Sequence, residues 1–156
     1  MRSNGHPTIN ETKLRVRYAE TDQMGVVYHS NHFIWFEVGR VELMRGMGVS
    51  YRDLEKEEGR FIAVAEAKCR YRAPVLYDEE VVVRTWLKSA RESVIVFSYE
   101  LVRPATKTIL AEGETLHVVT DARMKIAKLP EKYLTIFRHA IDGTTEPENS
   151  LERTSH

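Results

Sequence analysis

The sequence has little of what marks a secreted, membrane-spanning or nucleic-acid-binding protein. It contains one cysteine, Cys69, among 156 residues, which excludes an internal disulfide and a cysteine-based zinc site. No segment is apolar over the length that a membrane span needs, and the first ten residues lack the apolar run of a secretory signal. Lys plus Arg and Asp plus Glu number 23 each, so the formal net charge is zero, which argues against a nucleic-acid partner. These absences predict a cytoplasmic protein.

What is present fits a single globular domain spanning residues 1–156. Forty-two per cent of the residues are hydrophobic, enough to build a core. We expect that core to cover about residues 12–140, with polar, turn-rich tails at 1–10 and 142–156 that fray. A net charge near zero also removes one barrier to self-association.

The apolar pattern predicts a strand followed by a long helix. In "KLRVRYAE" the residues Leu14, Val16 and Tyr18 share one face, as in a half-buried strand. "SNHFIWFEVGRVELMRGMG" has helix character, with Ser30 or Asn31 able to cap its start. Its apolar stripe and the aromatic residues of its first turns predict a helix that is buried on most sides; the stripe comprises Ile34, Val38, Val41 and Met44–Met47.

The remainder of the chain is predominantly strand-like. "SYRDLEKEE" predicts a short surface helix capped by Ser50, and the segment from Glu131 to Ala140 predicts a final helix. Between them lie four candidate strands joined in part by short connections, which predicts an antiparallel meander. The four strands are Phe61–Arg72, Glu80–Ser89, Ser93–Arg103 and Thr108–Thr120. The predicted class is α+β, with a curved antiparallel sheet wrapped around one central helix.

Two motifs give the chain a resemblance to a known family. "TDQMGVVYHSNHF" leads into the predicted central helix, and "YRAPVLYDEEVVVRT", from Tyr71 to Thr85, leads from the end of one candidate strand into the strand that begins at Glu80. Together with the element order, they resemble the hotdog-fold acyl-CoA thioesterases of the 4-hydroxybenzoyl-CoA thioesterase type, over roughly Leu14 to Leu129. The main departure is His32, where the family usually has an aromatic residue. The resemblance implies a hotdog fold and hydrolysis of an acyl-CoA to a free acid and coenzyme A, with no separate cofactor.

The resemblance also implies the catalytic residues. Asp22 corresponds to the acid that either activates water or attacks the thioester directly, and the sequence leaves both roles open. His29 stands where relatives carry His or Tyr, and it is expected to orient water, donate to the substrate or assist proton transfer. Glu37, two helical turns further on, is a reserve catalytic candidate because other branches of the fold place a glutamate on this helix.

The start of the helix is expected to bind the thioester carbonyl. The first amides of a helix lack intrahelical partners and carry partial positive charge, so the N–H groups of Val27, Tyr28 or His29 are candidates to polarise the carbonyl. Gly25 permits a tight turn and close approach of the substrate. Asn31 is expected to fix the loop and cap the helix.

Two further expectations concern coenzyme A and assembly. The phosphates of coenzyme A need local cations, and relatives hold the nucleotide with basic residues near the strand ends. The candidates for this contact are Lys88, Arg91, Arg123 and Lys125. The resemblance further implies a dimer joined edge to edge, or a tetramer of such dimers, with the active site at the dimer interface.

Two alternatives stay open. A hotdog dehydratase or hydratase would use a histidine with an acid, here His29 with Glu37. A non-catalytic acyl-CoA-binding module fits best if Asp22 is held in an ion pair by Arg17 or Arg40. A metal site is not expected, because His29 and His32 lack a third ligand at a supporting spacing.

Overall fold

The structure is a computed structural model that describes residues 5–143. Most of the predicted C-terminal tail, and residues 1–4 of the N-terminal one, lie outside the described residues. The strands are β1 (Asn10–Arg15), β2 (Phe61–Tyr71), β3 (Glu80–Ala90), β4 (Val94–Arg103) and β5 (Thr108–Thr120). The helices are α1 (Asn31–Gly46), α2 (Tyr51–Glu58) and α3 (Glu131–Asp142), and a single 3₁₀ turn covers Tyr18–Glu20.

The five strands form one antiparallel sheet in the order β1-β3-β4-β5-β2. The strands β3, β4 and β5 are consecutive neighbours, so the meander predicted from their short connections is confirmed. β2 lies beyond β5 at one edge, and β1 lies beyond β3 at the other. The segment from 72 to 79 therefore carries the chain from one side of the sheet to the other.

The N-terminal strand begins and ends earlier than the alternating pattern predicted. β1 starts at Asn10, and the Thr8 amide donates to the Ala140 carbonyl, so the prediction of a frayed tail is wrong for this stretch. Tyr18 falls in the 3₁₀ turn and is 77% exposed instead of facing the core. Leu14 and Val16 do face inward, because only that part of the segment pairs with β3 or packs beneath α1.

Helix α1 packs on the sheet through one side only. The buried side consists of His32, Trp35, Phe36, Gly39, Arg40, Leu43 and Met44. Most of the predicted stripe lies on the other side, where Ile34 is 52% exposed and Val38 and Val41 are half-buried. The prediction of a helix buried on most sides is therefore wrong for the single chain. The helix is apolar around most of its circumference, and the sheet of this chain covers only part of it.

The helix comes closest to the sheet at a glycine. A Cβ placed on Gly39 would overlap the Thr85 hydroxyl and lie 2.9 Å from Val83 Cγ1, both on β3. Glycine at this position allows the backbone of α1 to approach β3.

A chain of polar side chains runs through the core beneath α1. Arg40, 9% exposed, donates to the hydroxyls of Tyr51 and Tyr99, and no ion pair within residues 5–143 includes it. The Tyr99 hydroxyl lies 2.6 Å from Thr115 Oγ1, which lies 2.8 Å from His117 Nε2. Burial, together with the nearby Arg40 charge, lowers the pKa of His117 to about 3, so the imidazole is neutral in the native protein at neutral pH.

We expect His117 to make the stability fall as the pH is lowered from about 6.5 toward 3. Over this range the unfolded chain binds a proton at His117 and the native protein does not, which contributes about 1.4 kcal/mol per pH unit to the slope. Urea denaturation at pH 5, 6 and 7 measures this slope. Glutamine does not titrate, so His117→Gln should reduce the slope of unfolding free energy against pH by about 1.4 kcal/mol per pH unit, the contribution of one proton. An unchanged slope would contradict the lowered pKa of His117.

The turn after β5 contains a non-glycine residue with left-handed backbone. Asp121 Oδ1 accepts from the amides of Arg123 and Lys125, the Met124 amide donates to the Asp121 carbonyl, and Met124 has φ of 64°. The Met124 side chain is 85% exposed, so it contributes little packing that would offset the unfavourable backbone.

Met124→Gly is expected to raise the free energy of unfolding by about 0.5–1 kcal/mol. Glycine removes the left-handed backbone penalty of about 1–2 kcal/mol. It also raises the conformational entropy of the unfolded chain, which offsets about 0.5–1 kcal/mol of that gain. Thermal unfolding measures the change. Met24→Gly is the matched control, because Met24 is equally exposed but is not among the residues with positive φ in the described chain, and it should lower the stability. Lower stability for Met124→Gly would contradict the account.

Candidate active site

The central acid of the first motif lies in a tight hairpin turn. The Asp22 amide donates to the Val26 carbonyl, and the Gly25 amide donates back to the Asp22 carbonyl. The Asp22 side chain closes the turn, since its Oδ1 accepts from Met24 N at 2.8 Å and from Val26 N at 3.2 Å. Gly25 has φ of 78°, which is the left-handed position of a three-residue hairpin loop. The tight turn predicted around Gly25 is confirmed.

The other oxygen of the Asp22 carboxylate is open. Within residues 5–143 no group donates to Asp22 Oδ2, and no ion pair includes Asp22. Arg17, one suggested ion-pair partner, lies 3.4 Å from the Glu20 carboxylate, and Arg40, the other, donates to two tyrosines. The carboxylate is therefore oriented through one oxygen and accessible through the other.

The two sequence motifs meet at this turn. The Val27 amide donates to the Val75 carbonyl at 2.8 Å, and the Tyr77 amide donates to the Gly25 carbonyl at 3.2 Å. Val26 and Leu76 form an isolated bridge between the same two segments. The second motif thus fixes the position of the first, a contact that the sequence alone did not predict.

The loop between the turn and α1 leaves two adjacent amides free. Of the amides predicted to polarise a carbonyl, that of Val27 is bonded to Val75 and that of Tyr28 donates to the Glu20 carbonyl. The amides of His29 and Ser30 donate to no group in the described part of the chain. Of the three amides predicted to polarise a carbonyl, only that of His29 is free within residues 5–143. The Ser30 amide is free as well, because the first bonded amide of the helix is that of Asn31, which donates to the Tyr28 carbonyl.

Asn31 fixes this loop, as the sequence predicted, but it is the first residue of α1 and its side chain does not cap the helix. Its side-chain Nδ2 donates to the carbonyls of Glu20 and Tyr28 at 2.9 and 3.2 Å. The Ser30 side chain makes no capping hydrogen bond. The loop is therefore tied back to the residues before Asp22.

Glu20 is a structural residue of the site that the sequence analysis missed. Its carboxylate is buried and accepts from the Arg17 amide at 2.8 Å and from Trp35 Nε1 at 3.0 Å. Burial alone raises the pKa of this carboxyl, but the bonds from Arg17 and Trp35 outweigh burial and hold the pKa below its usual value. Strand alternation did not predict this burial, because the strand ends at Arg15 and Glu20 lies in the 3₁₀ turn that follows it.

Aromatic rings surround His29. Its exposed side chain contacts the rings of Tyr28 and Tyr71, at centroid distances of 4.4 and 6.3 Å. The carbonyl of His29 accepts from the Tyr71 hydroxyl at 2.9 Å. His32 is buried beside Tyr71 and Trp35, and burial lowers its pKa although its bond to the His29 carbonyl acts in the opposite direction.

The remaining predicted residues lie elsewhere in the chain. Glu37 is exposed, and no hydrogen bond or ion pair in residues 5–143 joins it to His29. Arg91, Arg123 and Lys125 lie where β3 and β5 end, whereas the Asp22 turn lies where β2 ends and β3 begins. Lys88, near the end of β3, is paired with Glu114 at 2.7 Å. The fold of this chain does not bring these cations to Asp22.

Neither a metal-ligand cluster nor a membrane-spanning helix occurs among the described residues. No group of three or more His, Cys, Asp or Glu side chains in residues 5–143 is arranged to hold a metal ion. None of the three described helices has the length and apolar character that crossing a bilayer requires.

Comparison with known proteins identifies the family. The model of the thioesterase-like superfamily matches residues 16–137. The acyl-CoA thioester hydrolase YbgC of Escherichia coli is 33% identical over 132 residues, which are 84% of this chain and 97% of that protein. YneP of Bacillus subtilis is 36% identical over 113 residues, 72% of this chain and 80% of that protein.

A solved structure agrees with these relatives. The DHNA-CoA thioesterase from Staphylococcus aureus superimposes with a TM-score of 0.77 at 28% identity, covering 96% of each chain. The element order, the single antiparallel sheet and the helix packed on it confirm the predicted hotdog fold. From this agreement of sequence family, relatives and fold, we conclude that the chain belongs to the thioesterase-like superfamily.

Proposed function

We propose that the protein hydrolyses acyl-CoA thioesters, with Asp22 as the acid residue and the amides of His29 and Ser30 as the oxyanion site. Membership of the family makes the chain a thioester hydrolase, as its sequence predicted. The observation that carries the proposal is an exposed carboxylate two residues after Glu20, whose carbonyl is hydrogen-bonded to the loop that presents two free amides.

The open oxygen of Asp22 supports two routes. As a general base, it takes a proton from a water molecule whose oxygen attacks the thioester carbon. As a nucleophile, it attacks that carbon itself to give a mixed anhydride, which water then hydrolyses. In both routes the carbon–sulfur bond breaks, and the coenzyme A thiolate leaves and is protonated to the thiol. Oδ1 is held by two amides in either case, so only Oδ2 faces the reaction.

The two free amides supply the electrophilic half of the site. Negative charge develops on the carbonyl oxygen as the tetrahedral intermediate forms, and backbone N–H groups stabilise that charge without having to reorganise. His29 and Ser30 stand directly before α1, where the helix dipole adds partial positive charge. The exposed His29 ring is available to bind water or the departing group.

The thioester of coenzyme A is favoured by the relatives. YbgC is named as an acyl-CoA thioester hydrolase, and the Staphylococcus aureus structure is of a DHNA-CoA thioesterase. The acyl group stays unassigned. Because Arg91, Arg123 and Lys125 lie at the far end of the sheet from Asp22, a role in holding coenzyme A requires that they come from a neighbouring subunit.

Two exposed surfaces support an oligomer. β2 is an edge strand of eleven residues with none buried, and its outer backbone groups pair with no strand in the described chain. The uncovered side of α1 forms an apolar groove of about 370 Å³ lined by Ile34, Val38 and Val41 with Glu37 and Glu42. Long unpaired edges and apolar patches are covered in stable proteins, so a second copy of the chain is the proposed partner. The cytoplasmic location stays a prediction.

The alternatives have less support in the structure. The hydratase needs His29 and Glu37 to act together, and no contact joins them among the described residues. The binding module was expected to hold Asp22 in an ion pair with Arg17 or Arg40, and both arginines bind other groups. Hydrolysis uses the carboxylate as the structure presents it.

A thiol-detection assay of coenzyme A release tests the function. Purified protein should release coenzyme A from at least one class in a panel of short-chain, long-chain and aromatic acyl-CoAs. Hydration of crotonyl-CoA without hydrolysis would favour the hydratase, and tight binding without turnover would favour the binding module. Light scattering on the same sample measures the oligomeric state, and a monomer would contradict the proposed interface.

A further inference from the structure

The carbonyl of His29 is held by three donors. The Tyr71 hydroxyl lies 2.9 Å from it, the His32 amide 3.3 Å and His32 Nδ1 3.2 Å. A carbonyl oxygen has two lone pairs, so this acceptor is fully used. His32 is buried, and because a carbonyl oxygen can only accept, this bond requires the proton to lie on Nδ1.

Holding this oxygen also sets the direction of the next amide. The peptide unit is planar and trans, so the His29 carbonyl and the Ser30 N–H point in opposite directions. Donors on the oxygen side therefore turn the free Ser30 N–H away from themselves. They also polarise the peptide, which strengthens its N–H as a donor. Ser30 is one of the two free amides of the proposed oxyanion site.

Of the three donor groups, only the Tyr71 hydroxyl comes from outside the loop and helix. The two His32 groups lie three residues along the chain, whereas Tyr71 is 42 residues away on β2, where it pairs with Ala111 of β5. The Tyr71 ring also packs edge-on against His32 at 4.7 Å. The pKa of Tyr71 is raised to about 12, mainly by burial and also by the nearby Cys69, so its hydroxyl keeps its proton at neutral pH.

We propose that Tyr71 is a positioning residue of the thioesterase site. Through its hydrogen bond to the His29 carbonyl, it fixes the His29–Ser30 peptide so that the Ser30 amide points at the oxygen of the tetrahedral intermediate. The sheet thereby sets the orientation of the oxyanion site, as catalytic preorganisation requires. This inference rests on the proposed function, because it assigns a purpose to one of the two free amides.

Tyr71→Phe tests the proposal by removing the hydroxyl and keeping the ring. The expected result is a decrease in kcat of about tenfold with KM unchanged, which is smaller than the 100- to 1,000-fold loss for deleting an oxyanion donor. Tyr133→Phe is the matched control, since it removes a tyrosine hydroxyl from α3, and it should leave kcat unchanged. Thermal unfolding of both variants accompanies the kinetics.

A second readout separates positioning from stability. In ¹H–¹⁵N spectra without substrate, Tyr71→Phe should shift the Ser30 amide and leave the signals of α3 unmoved. An unchanged kcat would overturn the inference. So would a loss of kcat accompanied by a raised KM, a lower Tm and no selective shift of the Ser30 amide. If the wild-type protein releases no coenzyme A, the proposed function fails instead, and the Ser30 shift alone decides whether Tyr71 orients this peptide.

Discussion

Asp22→Asn should lower kcat for acyl-CoA hydrolysis by about 100- to 10,000-fold while the protein stays folded. The side-chain amide oxygen of asparagine can still accept from the Met24 and Val26 amides, so the turn is retained. What is lost is the charge on the open oxygen, and with it either the general base or the nucleophile. Coenzyme A release under saturating substrate, with circular dichroism as the folding check, measures the effect.

The chain supplies its own control for this substitution. Asp121 closes a turn with the same hydrogen bonds, since its Oδ1 accepts from the amides two and four residues on. That turn lies at the other end of the sheet from the His29 and Ser30 amides. Asp121→Asn should therefore keep the wild-type kcat. Equal losses for the two variants would show that the turn matters only for folding, and undiminished turnover in Asp22→Asn would refute its catalytic role.

Gly39→Ala is expected to lower both stability and activity. The added Cβ overlaps the Thr85 hydroxyl and crowds Val83, two fully buried side chains of β3 that have no space to move into. Overpacking of this kind costs about 2–3 kcal/mol, against a gain in helix propensity of roughly 1 kcal/mol. We expect a decrease in Tm of roughly 3–8 °C. Because α1 must shift, the His29 and Ser30 amides move relative to Asp22, and kcat should decrease by about 10- to 100-fold.

Gly46→Ala is the matched control on the same helix. A Cβ at Gly46 meets nothing within 4 Å, so only the propensity gain remains, and Tm should rise slightly with kcat unchanged. Urea denaturation and steady-state kinetics on both variants provide the comparison. Equal stability of Gly39→Ala and Gly46→Ala would contradict the close approach of α1 to β3.

Much of this architecture was predictable because it depends on local chemistry. The sequence predicted α1, the α2 cap at Ser50, the meander from β3 to β5 and the tight turn at Gly25. Each of these follows from alternation, capping or turn residues close together in the chain. The order of the sheet beyond the meander was not predictable in this way, because the partners of β1 and β2 are distant in sequence.

The candidate site likewise combines features set by neighbouring residues, which were predictable, with features set by distant contacts, which were not. Asp22, His29 and Asn31 came from one contiguous motif, and the Asn31 side chain ties the loop before His29 back to Glu20, two residues before Asp22. Tyr71 was missed because its contact with His29 depends on where β2 ends relative to α1. The free Ser30 amide was missed because the bonds from Val27 to Val75 and from Tyr28 to Glu20 cannot be inferred from helix boundaries. One distant bond, to Val75, and one nearby bond, to Glu20, decide which amides stay free.

The most direct test is a crystal structure of the Asp22→Asn protein with an intact acyl-CoA bound. The proposed mechanism predicts that the thioester carbonyl oxygen lies within about 3.2 Å of the amide nitrogen of His29 or Ser30, with the side chain at position 22 facing the carbonyl carbon. A carbonyl bound away from both amides, or a thioester carbon out of reach of position 22 and of any water it holds, would contradict it.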